Sequence, residues 1–257
     1  MSAMREFRRQ SIRIIITNDK LFEEFKEAEN SVFISGFKGY GMVGYITVVH
    51  IVEHLGCERA GIVVTKYMPE AITVDKSGIV SPFELYVCRG TDKVSIMALV
   101  NHDLPDVRER TRYADAIIRW AANIGVNEAV FFGGFDARYR TGDEKLRWVA
   151  TSMWTKKLKE PKMESGLYII GPLALFTLFS EIYKLPALVI LPYAETSRPD
   201  PRAAAIAVET FAKLYGLNID TKELYEKARL IEEKIMELEE QKEVMQAPPG
   251  ASERVYM

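Results

Sequence analysis

Short runs rich in β-branched residues alternate along the chain with longer segments of helical periodicity. Several of these runs, such as V-S-I-M-A-L-V at 94–100, are almost entirely apolar, which is typical of strands covered on both faces of a sheet. The strand-like runs are 12–17, 32–37, 60–65, 84–88, 94–100, 129–132 and 188–191, and the helical patterns are 19–28, 42–55, 105–124, 172–184 and 201–215. The alternation predicts a layered α/β fold with a mainly parallel sheet flanked by helices.

Two segments depart from the alternation. Residues 70–94 contain strand-like runs with no helix between them, so we expect an antiparallel hairpin there. The stretch L-R-W-V-A-T-S-M-W at 146–154 fits a strand or a helix.

The composition is that of a globular protein, with 48% apolar residues, 27% charged residues and a net charge of −2. With so small a net charge, no overall electrostatic field favours binding to nucleic acid or to an anionic membrane. The apolar stretches 32–52 and 166–193 are interrupted by charges, glycines or prolines, so neither is expected to span a membrane. We expect a soluble, cytoplasmic protein. Cys57 and Cys88 are expected to be buried free thiols of a reducing compartment; a single structural disulfide is the alternative, for which the sequence gives no reason.

A glycine pattern follows the second predicted strand and opens a helix. In S-G-F-K-G-Y-G-M-V-G, Gly39, Gly41 and Gly44 match G-x-G-x-x-G, the phosphate-binding half of a dinucleotide site. The acidic residue expected at the end of the next strand is missing, because Lys66 stands there. The alternatives are a tight turn with close backbone packing and an anion-binding turn.

The helix after this turn contains His50, Glu53 and His54 in the spacing H-x-x-E-H. Histidines four residues apart share one helix face and could hold zinc, with Glu53 as a base and Glu128 as a further ligand. Such a short pattern often arises by chance, so two ordinary helix histidines are the favoured interpretation, and no metal is predicted.

Further along the chain, His102 and Asp103 follow a strand end, where sites of α/β proteins often lie. No nucleophile is paired with them in the sequence, and Asp103 is expected to cap the helix that begins near Pro105. Asp200 and Pro201 fit an N-cap and the first position of a helix. No catalytic residue and no cofactor are predicted.

The segment 221–245 has a different character, with dense charges and apolar residues in a 4-3-4-3 rhythm. The apolar positions are Leu224, Ala228, Ile231, Ile235, Leu238 and Met245, with Lys242 in the remaining expected position. This pattern predicts a helix of about 37 Å, which either lies on its own domain, or mediates self-association or forms a projecting stalk.

The order of these motifs resembles the PAC2 family, the proteasome-assembly-chaperone group. The resemblance runs from about Ser11 to Glu240 and rests on G-Y-G-M-V-G, on G-L-Y-I-I-G-P, and on L-V-I-L-P-Y-A-E-T-S-R-P-D-P-R-A-A-A. It implies a phosphorylase/hydrolase-like α/β fold without a recognised catalytic set. The expected division is an α/β domain at 1–219, an amphipathic helix at 220–245 and a flexible tail at 246–257.

The sequence ends on Val255, Tyr256 and Met257 after a Pro-Pro-Gly spacer, and these three residues fit the hydrophobic-Tyr-X ending of proteasome activators. The resemblance implies that each tail enters a pocket between neighbouring α-subunits of the 20S core, where a lysine meets the terminal carboxylate. Twelve residues span at most about 40 Å, which is enough to leave the domain surface. The expected partners are 20S α-subunits and further copies of this chain, as family members commonly form oligomers.

Two hypotheses follow from the sequence. The first is a non-enzymatic, ATP-independent proteasome-binding protein, either an assembly chaperone or an activator. The second is a small-ligand-binding α/β protein or a hydrolase that uses the turn between Gly39 and Gly44.

Overall fold

One large sheet forms the centre of the molecule. The computed structural model describes residues 5–75, 78–88 and 94–246. Within these ranges, ten strands form the sheet and two more form a separate hairpin. The strands are β1 (Arg5–Arg9), β2 (Ile12–Ile16), β3 (Ser31–Gly36), β4 (Glu58–Val64), β5 (Thr73–Asp75), β6 (Gly78–Val80), β7 (Phe83–Cys88), β8 (Ser95–Asn101), β9 (Glu128–Phe132), β10 (Phe135–Asp136), β11 (Leu146–Ala150) and β12 (Ala187–Ala194).

The sheet combines parallel and antiparallel pairing. Its order is β1-β2-β4-β7-β8-β3-β9-β12-β10, and β11 also pairs with β12. Pairing is parallel from β8 through β3 and β9 to β12 and β10, and antiparallel from β1 to β8 and between β11 and β12. The predicted antiparallel hairpin is present as β5–β6, and the ambiguous segment 146–154 begins with a strand. The predicted layered α/β class is confirmed.

Helices cover both faces of the sheet. They are α1 (Asp19–Lys26), α2 (Val43–His54), α3 (Arg110–Asn123), α4 (Gly171–Ile182), α5 (Pro201–Tyr215) and α6 (Lys222–Gln246). One apolar core lies between the sheet and α1, α3 and α4, with Phe22, Tyr113 and Phe176 at its centre. The other lies between the sheet and α2, α5 and the start of α6, around Val48 and Phe211. This arrangement explains why the central strands are apolar throughout.

The ends of the helices follow local side-chain chemistry, with one correction. The Asp200 side chain accepts a hydrogen bond from the Ala203 N–H, and Pro201 occupies the first turn of α5, as predicted. The prediction that Asp103 caps a helix near Pro105 is wrong, since α3 begins at Arg110. Residues 105–109 instead form an irregular segment whose buried Glu109 carboxylate accepts hydrogen bonds from the backbone N–H groups of residues 66 and 67.

Helix α2 touches the sheet through backbone atoms. A Cβ added at Gly44 would lie 2.3 Å from the Phe132 carbonyl oxygen, and one added at Gly36 would lie 2.2 Å from the Gly44 carbonyl oxygen. Such distances leave no room for any side chain, so these two glycines set how closely α2 approaches β3 and β9.

A buried carboxylate organises the antiparallel half of the sheet. The fully buried Glu84 accepts hydrogen bonds from the Arg59 guanidinium, the Ser81 N–H and the Tyr86 hydroxyl, and His102 Nε2 lies 3.7 Å away. Burial alone would raise the pKa of Glu84, but the donors His102, Tyr86, Ser81 and Arg59 together lower it to about 2. The carboxylate is therefore ionised in the folded protein.

The expectation of two free thiols is wrong, because Cys57 and Cys88 form a disulfide. Cys57 precedes β4 and Cys88 ends β7, and the register places Glu58 opposite Val87. The cysteines are consequently the next pair along the two antiparallel strands, with their Cα atoms 4.0 Å apart.

The first part of α6 packs on the domain. Leu224 and Ala228 are buried, and Arg202 on α5 forms a two-pronged ion pair with Glu232. Beyond this contact the apolar side chains of Met236 and Leu238 are 61% and 48% exposed. The predicted packing of the helix on its own domain is therefore present in its first part, and apolar side chains are exposed in the part that follows.

The close backbone contact of α2 predicts a position-specific cost for adding one methyl group. Gly44→Ala should lower the free energy of unfolding by about 1–3 kcal/mol, because α2 has to move away from the Phe132 carbonyl. Gly39→Ala is the matched control, since a Cβ at Gly39 meets no atom within 4 Å and the expected change is within about 0.5 kcal/mol. Denaturant unfolding measures both, and equal stability of the two variants would contradict the packing described above.

The buried Glu84 network predicts a pH-dependent stability difference. Glu84→Gln should lower the free energy of unfolding at pH 7 by about 3 kcal/mol, because the neutral amide lacks the negative charge that Arg59 and the other donors stabilise. The folded-state pKa of about 2 lies below the ordinary value of 4.5. The difference in the free energy of unfolding between the wild type and the variant therefore has its full value above pH 4.5 and disappears as the pH falls towards 2. Unfolding curves at pH 7 and pH 3 test this, and an advantage that is unchanged at pH 3 would contradict it.

Candidate functional site

A crevice of about 610 Å³ opens at the carboxyl ends of the parallel strands. The chain leaves β3 towards α2 on one face of the sheet and leaves β8 towards α3 on the other face. A gap forms where neighbouring strands send the chain to opposite faces, and ligands of open α/β sheets bind in such gaps.

Four segments form most of the lining of the crevice. They are the turn after β3, the segment between β8 and the start of α3, the stretch from the end of β9 to residue 139, and the segment that leads into α4. The lining includes the apolar or aromatic residues Phe37, Tyr40, Leu104, Phe132, Phe135, Tyr139, Leu167, Tyr168, Ile169, Ile170, Leu173 and Leu191. Its charged residues are Lys38, Arg110, Asp136 and Arg138. Of these residues, those of the glycine turn, those of G-L-Y-I-I-G-P and Leu191 belong to the motifs that carry the family resemblance.

A buried hydrogen-bond network fixes the strand ends beside the crevice. Asn101 donates to the Ser35 hydroxyl and the Gly36 carbonyl, and its own side-chain oxygen accepts from the Tyr113 hydroxyl. All of these groups are buried and satisfied, so β3, β8 and α3 are joined at this edge of the sheet.

Several backbone N–H groups of the glycine turn are already used in hydrogen bonds within the turn. The N–H groups of Gly39, Met42 and Val43 donate to carbonyls within the turn, and the Gly41 carbonyl accepts from the Asp200 N–H. Together with the close approach at Gly44, this geometry matches the alternative of a tight turn packed against its neighbours.

The two histidines of H-x-x-E-H hold the connection between α5 and α6. His50 Nε2 lies 2.7 Å from the Asp220 carbonyl, and His54 Nε2 accepts from the Asp220 N–H at 3.2 Å. Glu128 instead pairs with Lys156. No group of three metal-ligating side chains forms within the described ranges.

The structure gives His102 a partner that sequence reasoning missed. Its Nδ1 lies 3.2 Å from the Tyr45 hydroxyl, while its Nε2 faces Glu84. Burial raises the pKa of Tyr45, so this hydroxyl is protonated at neutral pH. Asp103 turns away and accepts from the N–H of Leu104. The cluster is a polar contact between α2 and the antiparallel strands.

The predicted docking residues Val255, Tyr256 and Met257 lie outside the described residues. Among the helices that the structure does describe, none is long and apolar enough to cross a membrane.

Two kinds of similarity accompany this geometry. A curated relative, the uncharacterized protein MJ1210 of Methanocaldococcus jannaschii, is 26% identical over 246 residues, which cover 91% of this chain and 95% of the relative. Among solved structures, PbaB of Pyrococcus furiosus, an archaeal proteasome activator, matches with a TM-score of 0.73 and 17% identity, covering 90% of this chain and 100% of PbaB.

The fold is also that of PbaA of Pyrococcus furiosus, an archaeal homologue of proteasome-assembly chaperone. The TM-score is 0.74 at 20% identity, over 92% of this chain and 95% of PbaA. The model of the PAC2 family matches residues 33–239, a span that runs from β3 into α6. The chain therefore belongs to the PAC2 family.

Proposed function

We propose that this chain is a non-enzymatic, ATP-independent protein of the cytoplasm that binds the 20S proteasome. In this proposal, Val255, Tyr256 and Met257 dock into pockets between neighbouring α-subunits of the core. The protein then acts as an assembly chaperone, as an activator of the mature core, or as both. The observation that carries the proposal is a V-Y-M ending on a chain of the PAC2 family.

The fold supports this assignment indirectly. PbaA and PbaB, whose structures are similar to this one, are a proteasome-assembly chaperone homologue and a proteasome activator. The three candidate sites found by sequence motif, at the glycine turn, the histidine pair and His102, are occupied by structural contacts of the fold. The proposed function therefore depends on the end of the chain, whereas these three motifs have structural roles.

The chemistry of the tail suits a pocket with apolar walls and one lysine. A terminal carboxylate is a charge that only a chain end supplies, and it forms a charge-assisted hydrogen bond with an ammonium group. Tyr256 would provide a large contact area while losing few rotatable bonds, and Val255 would fill a neighbouring apolar space.

The proposal assigns a separate task to each part of the chain. Residues 1–219 form the α/β body, residues 220–245 carry the tail away from it, and residues 246–257 provide the docking segment. The exposed apolar residues Leu230, Met236 and Leu238 on α6 are suited to contact a second copy of the chain. Several tails on one oligomer would raise avidity by about 10² to 10⁴, because later tails bind intramolecularly.

Deletion of residues 255–257 should abolish binding to purified 20S core while leaving the thermal unfolding of the domain unchanged. We expect at least a 100-fold loss of apparent affinity by surface plasmon resonance, because every docking contact is removed and the avidity of several tails, which alone is a factor of about 10² or more, is lost with them. Peptide hydrolysis by the core should rise with the intact protein only if it acts as an activator, whereas binding without stimulation indicates an assembly role. Equal binding by the intact and truncated proteins would refute the proposal.

Three changes at the end of the chain test separately the aromatic anchor, the side chain of the last residue and the position of the free carboxylate. Tyr256→Ala should weaken binding roughly 10- to 100-fold, as loss of an aromatic anchor does. Met257→Leu is the matched control and should bind normally, since the last position accepts any residue while the carboxylate remains. One glycine added after Met257 should remove binding by displacing the carboxylate, and normal binding by this extended protein would show that a free chain end is not required.

A further inference from the structure

The crevice at the carboxyl ends of the parallel strands has a shape and charge that the proposed proteasome function does not use. We propose that it binds a small molecule consisting of a planar aromatic group and a single anionic group, either a carboxylate or a phosphate. This site is distinct from the tail and from the apolar residues of α6.

Size and lining favour a small aromatic molecule. The volume of about 610 Å³ lies in the range of small-molecule sites. Aromatic rings come from three of the segments that line the crevice: Phe37 and Tyr40 from the turn after β3, Phe135 from β10, and Tyr168 from the segment before α4. Tyr40 and Tyr168 are 42% and 86% exposed, so much of the surface of these two lining side chains is open to solvent. Aromatic walls of this kind stack against flat rings.

The charged residues of the crevice lining favour an anionic ligand. Asp136 and Arg138 form an ion pair with each other and largely cancel. That leaves Lys38 and Arg110, which make no salt bridge to a carboxylate among the described residues. Both are half-buried: Lys38 lies with its ammonium 4.8 Å above the Tyr45 ring, and Arg110 uses its Nε to donate to the Pro105 carbonyl. The remaining guanidinium donors of Arg110 suit a carboxylate or a phosphate.

The cavity depends on residues that lack side chains. Gly133 and Gly134 form part of its wall, and a Cβ on Gly134 would lie 2.4 Å from the Tyr40 carbonyl oxygen. Gly39 also lines the cavity, and a Cβ there meets nothing within 4 Å. A larger residue at Gly39 therefore extends into open space and needs no left-handed backbone.

Titration with naphthalene compounds tests the proposal directly on the full-length protein at low ionic strength. The probes are 1-naphthoate and 1-naphthyl phosphate, with neutral 1-naphthol lacking the charge and inorganic phosphate lacking the ring. We expect one-to-one saturable binding of at least one anion, about tenfold or more tighter than 1-naphthol, as a charge-assisted contact provides. Inorganic phosphate alone should bind too weakly to saturate. The tighter of the two anions identifies the natural head group as carboxylate or phosphate.

Three variants assign the binding to the crevice. Arg110→Met should weaken the bound anion about tenfold and leave 1-naphthol unchanged, because only the charged contact is lost. Arg108→Met is the matched control, since Arg108 pairs with Asp106 and does not line the crevice. Gly39→Leu should weaken both the anion and 1-naphthol by occupying the cavity.

Thermal unfolding shows whether each variant is folded. A folded Gly39→Leu protein with unchanged affinity for the anion and for 1-naphthol would count against the site. Three results would overturn the proposal: no saturable binding of either anion, equal affinity for 1-naphthol and the anions, or equal losses in Arg110→Met and Arg108→Met.

Discussion

Direct contact between the backbone of α2 and the sheet is the constraint on which the rest of the structure depends. Gly36 and Gly44 permit this contact, and the turn between them uses the N–H groups of Gly39 and Met42 in hydrogen bonds of its own. The same turn offers the Gly41 carbonyl to Asp200, which in turn caps α5. One short segment thus positions α2 and α5 on one face of the sheet, and it also forms a wall of the crevice.

The face built on α2 and α5 also determines where the C-terminal helix leaves the domain. His50 and His54 hold the backbone of Asp220, and the buried Leu224 and Ala228 continue the attachment. Past the ion pair of Glu232 the helix presents apolar side chains outward. In the proposed function, this helix connects the α/β domain to the docking residues at the end of the chain.

Periodicity and capping chemistry predicted most of the elements, because β-branched apolar runs and the Asp200-Pro201 start are local signals. Contacts distant in sequence were not predictable. The charged strand β1 is held by pairs such as Arg9 with Asp115, and the disulfide follows from the β4–β7 register. The crevice likewise combines segments from residue 37 to residue 191. The glycine pattern suggested phosphate binding, yet the N–H groups of Gly39 and Met42 donate to carbonyls within the turn.

The most direct test of the proposed function is a cryo-electron microscopy map of this protein bound to the 20S core. The account predicts density for Val255, Tyr256 and Met257 between neighbouring α-subunits, with the terminal carboxylate next to a lysine of the pocket. It also predicts that α6 points from the α/β body towards the α-ring. A complex in which the body contacts the core and the inter-subunit pockets are empty would contradict the account.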